Sequence, residues 1–413
     1  MPSAPPRILI TGMGCCCAAA FGITELNARL TDLPVRCGPV PPEFFHDQLP
    51  FPAFLVERAL PSPSAARLLG ATSTAASLPH GLNRTALLAL EAVAEAVADA
   101  GLCEESFREA RVGVIIGTTV GCTFNNEEYY ASWRGGAAPD LTPVRNYLGS
   151  NLGALIRTVL GATGPATVVT NACASGTDAL GLAKIWLEQD RCDLVIAGGA
   201  DELSRIAYHG FSALMLMART PCQPFDQART GLNLGEGAGI LILEREDRLR
   251  REATPKGILL GYGAATDGYH PTAPHPEGRG LQAALLGALA DADTGPAEIA
   301  YINAHGTGTL ANDSAEAAAL TQFPFPEECR LVSTKGSTGH TLGAAGAIEA
   351  IITLLTLAGG VTAGTPGCRE IDPALAVPVL PEGKSARLFG RKGISQSLAF
   401  GGFNGAVVLE AIG

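Results

Sequence analysis

The chain has 413 residues, 47% of them hydrophobic and only 17% charged, so it can bury a large core and is not a disordered or charge-tail protein. Its formal charge is −11 and no block of Lys or Arg occurs, which argues against a generic nucleic-acid or anionic-membrane binder. Glycine, at 50 residues, is in excess without a period, which excludes a collagen-like repeat and points to many tight strand-to-helix turns.

Arg7-Ile8-Leu9-Ile10-Thr11-Gly12 reads as a first strand and turn. The uncharged run from Ile8 to Ile23 looks superficially like a secretory signal, but only Arg7 precedes it. Gly12-Met13-Gly14 imitates a dinucleotide fingerprint whose third glycine and distal acidic residue are both missing. The Pro- and Ser-rich stretch from Pro34 to Leu82 is predicted to be irregular. Helices are predicted over Arg84–Ala100 and Gly176–Glu188, and buried strands over Val112–Gly117, Thr167–Thr170 and Asp193–Gly199. Thr341 to Gly360 is the most apolar helix candidate, yet Glu349 interrupts it, and no membrane span is predicted. The eleven cysteines include the consecutive Cys15, Cys16 and Cys17 and no CxxC pair; an odd, scattered set fits reduced thiols in the cytoplasm. No Cys/His spacing suits zinc, and no GxSxG elbow occurs.

A weak duplication runs through this pattern. Thr167 to Cys173 and the helix to Trp186 are echoed by Leu331 to His340 and the helix to Leu357, and Leu194–Gly199 by Ile394–Gly402. Two similar halves, 1–250 and 251–413, would meet at the charged stretch Glu244 to Ala253 and bring their turns to a common centre. Ordinary strand–helix alternation would produce the same echo.

Three turns hold the candidate chemistry. Cys173 lies between a strand and a helix, where the positive end of the helix dipole would lower its pKa; a buried structural cysteine is the alternative. His305 and His340, two of seven histidines, both sit at glycine-rich strand ends, where a neutral imidazole can donate to a carbonyl oxygen gaining charge. A lone histidine is usually structural, but two in such settings favour catalysis. Lys335, one of five lysines, lies in a Gly/Ser/Thr turn that is a poor setting for a solvated side chain.

Five segments taken together, in order and along nearly the whole chain, resemble the elongating β-ketoacyl-ACP synthases. They are Thr170–Gly176, Pro224–Asp226 with Gly231–Gly239, Asn303–Thr309, Ser333–His340 and Phe400–Gly405. The resemblance implies an α/β thiolase fold of two βαβαβαββ halves in five αβαβα layers, normally dimeric. It implies a catalytic Cys173, His305 and His340, with Lys335 and Glu349 pairing to orient the histidines. It also places Thr307 and Thr309 on the phosphopantetheine arm, and Phe400 as a gate whose backbone N–H joins that of Cys173 in an oxyanion hole. Val120 and Phe211 match acyl-pocket positions. The implied reaction is condensation of a Cys173-bound acyl chain with malonyl-ACP, without metal or organic cofactor.

The implied partners are an acyl carrier protein, docked through an arginine such as Arg84 or, more weakly, Arg134, and a second copy or a chain-length-factor-like subunit; neither nucleic acid nor membrane is implied. Ala399 and Phe403 replace the usual Gly and Thr of the gate segment, and the chain is short between Phe211 and Pro224. Asn171–Asp178 and Gly198–Glu202 look more like discrete synthases of polyketide or aryl-polyene pathways. The alternatives are a non-catalytic partner subunit, which usually lacks the cysteine, and a thiolase, whose second catalytic cysteine has no counterpart near Phe400.

Overall fold

A computed structural model describes residues 6–42, 44–45, 49–71, 82–121, 127–142, 144–145 and 151–412. The uncharged run at Ile8 forms a ten-residue strand, β1 (Ile8–Cys17), with every residue buried. It is followed by α1 (Arg84–Asp99), β2 (Val112–Gly117), α2 (Leu152–Leu160), β3 (Ala166–Val169), α3 (Ser175–Glu188), β4 (Leu194–Asp201) and β5 (Gly237–Arg245). The second half repeats the order with β6 (Gly257–Thr266), α5 (Arg279–Asp291), β7 (Ile299–Asn303), α6 (Leu310–Leu320), β8 (Arg330–Val332), α7 (Ala345–Gly359), β9 (Lys392–Ala399) and β10 (Phe403–Ala411). Helix α4 (Arg205–Ala213) and several short helices and strands are additions to this shared order. Each half is therefore βαβαβαββ.

The sheets match strand for strand. The first runs β3-β2-β4-β5-β1 and the second β8-β7-β9-β10-β6, and they join where β1 pairs with β6 over Ile8–Ile10 and Gly257–Leu259. In both, the second strand is parallel to the third and fourth, and the remaining pairings are antiparallel. Helices α1 and α2 cover one outer face, α5 and α6 the other, and α3 and α7 fill the space between the sheets. This is the five-layered thiolase-type arrangement. The segment Leu342–Gly359, apolar and long enough to cross a membrane, is 89% buried as the central helix. The charged stretch Glu244–Ala253 runs from the end of β5 into the turn before β6.

Residue choice explains the local structure. Asn83 caps α1 by accepting the Ala86 N–H, and the Ala- and Leu-rich face behind it packs on β1, β4 and β5. Gly14 is there for that packing, because a Cβ on it would lie 2.0 Å from the Ala92 carbonyl of α1. The dinucleotide-like glycines are thus helix-packing glycines. Between Pro34 and Leu82 the chain is less irregular than its composition predicts, with a ribbon pairing Cys37–Gly38 to Ala53–Phe54 and a helix over Pro63–Ala71. Parts of that stretch (43, 46–48 and 72–81) lie outside the described residues.

The two central helices approach most closely at their N-termini. A Cβ on Gly176 would stand 2.7 Å from the Gly343 carbonyl oxygen, one on Gly199 2.3 Å from the same atom, and one on Gly346 2.1 Å from Thr177 Oγ1. Asp201, fully buried at the end of β4, accepts the Thr118 hydroxyl and the N–H groups of Thr119, Val120 and Gly343, tying the halves together at this point. We expect Gly176→Ala to cost about 1–3 kcal/mol in denaturant titration, the usual penalty for overpacking, and to lower activity. Gly210→Ala, in α4 with nothing within 4 Å of the added Cβ, is the control and should be neutral or mildly stabilising. Equal effects of the two substitutions would show that the helix crossing tolerates a methyl group.

Candidate active site

Cys173 sits on a 3₁₀ turn, Ala172–Ala174, between β3 and α3. Its predecessor Ala172 has φ 46°, a left-handed conformation that costs a non-glycine residue roughly 1–3 kcal/mol. The turn is held by Ser175, whose hydroxyl donates to the Ala172 carbonyl at 2.6 Å and accepts the Asn171 N–H at 2.9 Å. Leu342, at the equivalent place before α7, has φ 51°, so both halves use the same strained turn to start a central helix.

The second half supplies the groups that meet the thiol. His340 Nε2 lies 3.0 Å from Cys173 Sγ. The His305 ring stands edge-on to His340, with centroids 5.1 Å apart at 84°. Lys335 Nζ is 3.3 Å from His305 Nδ1 and also pairs with Glu349 Oε1. A lysine ammonium only donates, so His305 Nδ1 is the acceptor and its proton sits on Nε2.

Burial dominates the electrostatics. It drives both imidazoles well below the ordinary histidine value, and Lys335 pushes them the same way, so both are neutral. It raises Glu349 to about 7 against the pull of Lys335. It also pushes the Cys173 thiol up to about 12, while Lys335 and the backbone N–H of Phe400 draw it down. This corrects the expectation of a thiol acidified by its helix terminus: desolvation at 4% exposure outweighs the dipole, and the resting group is a thiol beside a neutral imidazole.

Positioning residues that sequence reasoning did not single out surround this core. Glu316, fully buried on α6, accepts the backbone N–H groups of His305 at 2.6 Å and Gly306 at 2.7 Å, and Gln396 Nε2 at 2.7 Å. Asp313 accepts the Phe225 and Gly308 N–H groups and faces Arg229 Nε at 3.6 Å. The Asn233 carbonyl accepts the His340 N–H at 2.8 Å, while its side-chain amide donates to Pro52 and Ala218. The available signal was acidic residues three apart on an otherwise Ala/Leu helix, a pattern that puts both on one face.

A cavity of about 160 Å³ opens onto Cys173, His305 and His340 and is also lined by Thr307, Thr309 and Phe400. The Thr307 and Thr309 hydroxyls are 2.9 Å apart. Phe400 stacks on Phe211, with centroids 5.0 Å apart at 24°, and Gly401 and Gly402 beside it have φ 84° and 76°. The backbone N–H groups of Phe400 and Cys173 both bear on the sulfur. Val120 does not line this cavity; it is buried in the apolar cluster that holds Cys173 and Phe211.

Arg84 is engaged by partners within the chain. Its guanidinium is bound to the fully buried Glu236 at 2.7 and 2.5 Å, donates to the Val56 carbonyl at 2.9 Å and lies over the Phe44 ring. This internal ion pair competes with any role of Arg84 in docking, although its side chain keeps 27% exposure. Arg134 is exposed at the end of the helix Glu127–Arg134, away from the cavity lining.

Among the described residues no group of three His, Cys, Asp or Glu could hold a metal ion. Among the buried oxygens without a hydrogen-bond partner are Asn303 Oδ1, Glu349 Oε2 and Ser395 Oγ. Asn303 and Ser395 are neighbours in the β7–β9 ladder, and Asn303 Nδ2 donates to the Glu349 carbonyl.

A buried thiol beside two neutral imidazoles and two convergent N–H groups is the equipment of an enzyme that passes acyl groups through a thioester. Residues 6–248 match the β-ketoacyl synthase N-terminal domain and residues 256–369 its C-terminal domain. The chain belongs to the β-ketoacyl synthase family and is an acyl-transferring condensing enzyme. A 3-oxoacyl-[acyl-carrier-protein] synthase 2 from Staphylococcus aureus is 34% identical over 340 residues, 80% of this chain and 82% of that one. Another from Synechocystis is 34% identical over 337 residues, 78% and 80% of the two chains. Among solved structures, the ishigamide ketosynthase/chain length factor superposes with TM-score 0.87 at 31% identity, covering 99% of this chain and all 100% of that one. A ketosynthase in complex with its chain length factor from Xenorhabdus doucetiae gives 0.81 at 31%, covering 100% of both.

The thiol's raised pKa sets an expectation for alkylation. The rate of Cys173 modification by iodoacetamide in the free enzyme should climb about tenfold per pH unit from 7 to 10, following the thiolate fraction; a plateau near pH 8 would show that the helix terminus prevails. Peptide mapping is needed for this measurement, because Cys103 is exposed and its thiol is lowered by Ser106.

Proposed function

We propose that the chain condenses an acyl group carried on Cys173 with malonyl-ACP, releasing carbon dioxide and giving β-ketoacyl-ACP. The observation that carries this reading is the contact of His340 with the Cys173 sulfur, with His305 edge-on beside it and oriented by Lys335. In the first half-reaction His340 takes the thiol proton, the sulfur attacks the acyl thioester, and His340 returns the proton to the pantetheine sulfur, which leaves as a thiol. The Phe400 and Cys173 N–H groups hold the tetrahedral oxyanion. In the second, malonyl-ACP enters along Thr307 and Thr309, and neutral His305 and His340 hydrogen-bond its thioester oxygen. Carbon dioxide departs, and the enolate carbon attacks the acyl-cysteine, whose C–S bond breaks. The reaction draws on no organic cofactor beyond the carrier's phosphopantetheine.

The finer reading is a ketosynthase of a polyketide or aryl-polyene pathway, acting in the cytoplasm as a dimer with a second copy or a chain-length-factor-like subunit. The similar ketosynthase from Xenorhabdus doucetiae, in complex with its chain length factor, supports such a partner, and the ten described cysteines, all free, support a reducing compartment. Of the aromatic residues in the apolar cluster around Cys173, Phe211 and Phe400 line the cavity, a stacked pair suited to a flat conjugated chain. A non-catalytic partner role is disfavoured because Cys173, both histidines and Lys335 are in mutual contact.

Cys173→Ala should abolish acyl transfer and condensation while malonyl-ACP decarboxylation persists, and His340→Ala should cut decarboxylation roughly 10²–10³-fold. Normal decarboxylation by His340→Ala would remove the enolate-stabilising role. Since both imidazoles are held well below 6.5, decarboxylation should be flat through that pH and fall only in more acid solution, where they protonate. An inflection near pH 6.5 would contradict neutral, desolvated histidines. Phe211→Ala should lower kcat/KM for a conjugated acyl chain relative to a saturated one of equal length, by roughly three- to tenfold. Equal losses on both would count against the polyene reading.

A further inference from the structure

The turn that presents Cys173 has a twin in the second half, and the two are built from different residues. Ala172 has φ 46° and Leu342 φ 51°. In each turn the residue two further on donates its N–H back, Ala174 to the Asn171 carbonyl at 3.1 Å and Ala344 to the Thr341 carbonyl at 3.0 Å. Around this shared backbone, Asn171, Ser175 and Asp178 stand where the second half has Thr341, Ala345 and Ile348. The second half makes the same strained turn with Ala and Ile at two of these places, so the turn itself does not require Ser175 and Asp178.

The polar residues of the Cys173 turn lead instead across to the other half. Asn171 Nδ2 donates to Asp178 Oδ2 at 2.7 Å, and the hydroxyl of Tyr262, on β6, donates to Asp178 Oδ1 at 2.9 Å. Asp178 thus accepts on both oxygens, as a carboxylate does. Burial raises its pKa and the two donors lower it, while burial and the Asp178 charge raise Tyr262, which stays protonated as the donor. Two glycines make room for the pair: a Cβ on Gly181 of α3 would lie 2.3 Å from Tyr262 Cγ, and one on Gly405 of β10 would lie 3.0 Å from Asp178 Oδ1. The Asn171 backbone is itself part of the turn, its N–H donating to Ser175 Oγ at 2.9 Å, so its side chain fixes the turn from outside.

We propose that Asn171, Asp178 and Tyr262 are positioning residues that clamp the Cys173 turn to the second half, holding the sulfur and the Cys173 N–H in register with His340 and Phe400. This rests on the condensation reading above and deepens it. Attack by the sulfur and capture of the oxyanion need both atoms fixed, because a misplacement of about 1 Å can cost roughly 10²-fold in rate. The Leu342 turn bears no reacting group and does without the clamp.

The test uses the full chain as Tyr262→Phe, Asn171→Ala and the double variant. Single-turnover acylation of Cys173 by acyl-ACP, followed by mass spectrometry, should slow about three- to tenfold in Tyr262→Phe, the contribution of one hydrogen bond, and by roughly ten- to thirtyfold in Asn171→Ala. The double variant should be no slower than Asn171→Ala, because the tyrosine acts only through the asparagine. Malonyl-ACP decarboxylation, assigned to His305 and His340, should hold at the wild-type rate, a split that loss of folded protein would not produce. Amide hydrogen exchange should rise across 170–175 and stay unchanged across 340–345. Should Asn171→Ala not fold, Tyr262→Phe decides. A wild type that forms no acyl-cysteine would sink the condensation reading, and the exchange comparison then decides the clamp alone. Unchanged acylation in both single variants, equal losses of acylation and decarboxylation, or exchange rising alike at both turns overturns the proposal.

Discussion

Everything in the active site depends on how closely two helices can approach. Helix α3 begins just after the turn that holds Cys173, and α7 begins just after His340; they cross where Gly176, Gly199, Gly343 and Gly346 leave no room for a Cβ. The Gly343 carbonyl fills the space that side chains on Gly176 and Gly199 would need, and its N–H is held by Asp201 from the other half. Only this approach brings a sulfur from the first half within 3.0 Å of an imidazole from the second. The like turns at Ala172 and Leu342 make the crossing nearly symmetric, and chemistry enters where that symmetry fails, with a cysteine on one turn and a histidine beside the other.

The same burial that permits the crossing dictates the charge states. A dry site favours neutral groups, so the histidines are available as donors and the cysteine rests as a thiol. The single ammonium introduced, Lys335, is matched by Glu349 at equal depth, because an unpaired charge there would be far more costly than the pair. Lys335 in turn selects the His305 tautomer. Each group's role thus follows from what its neighbour makes affordable in a low-dielectric pocket.

Substrate selection sits at the edge of this rigid centre. Phe400 lies on a glycine-rich turn stacked against Phe211, outside the helix crossing. The Thr307–Thr309 side is bounded by a loop that Glu316 and Asp313 clamp through backbone N–H groups.

Much of this was legible in the amino-acid sequence. The strand and helix periods, the echo between the two halves, and the placement of Cys173, His305, His340 and Lys335 at glycine-rich turns all follow from local chemistry, because a turn that presents a side chain to a pocket needs small neighbours wherever it lies. The sequence could not decide what distance does. Arg84 looks like a surface cation at the head of a helix, yet Glu236, 152 residues away, takes its charge inside. Cys173 stands at a helix start that should acidify it, yet its burial by the opposite half reverses the sign. Glu316 and Asn233 are unremarkable by themselves and become positioning residues only once the backbone of a catalytic histidine is brought to them. Side-chain type and turn geometry are local and readable in order along the chain; charge state and partnership depend on which distant surface removes the water, and that is settled by the tertiary fold.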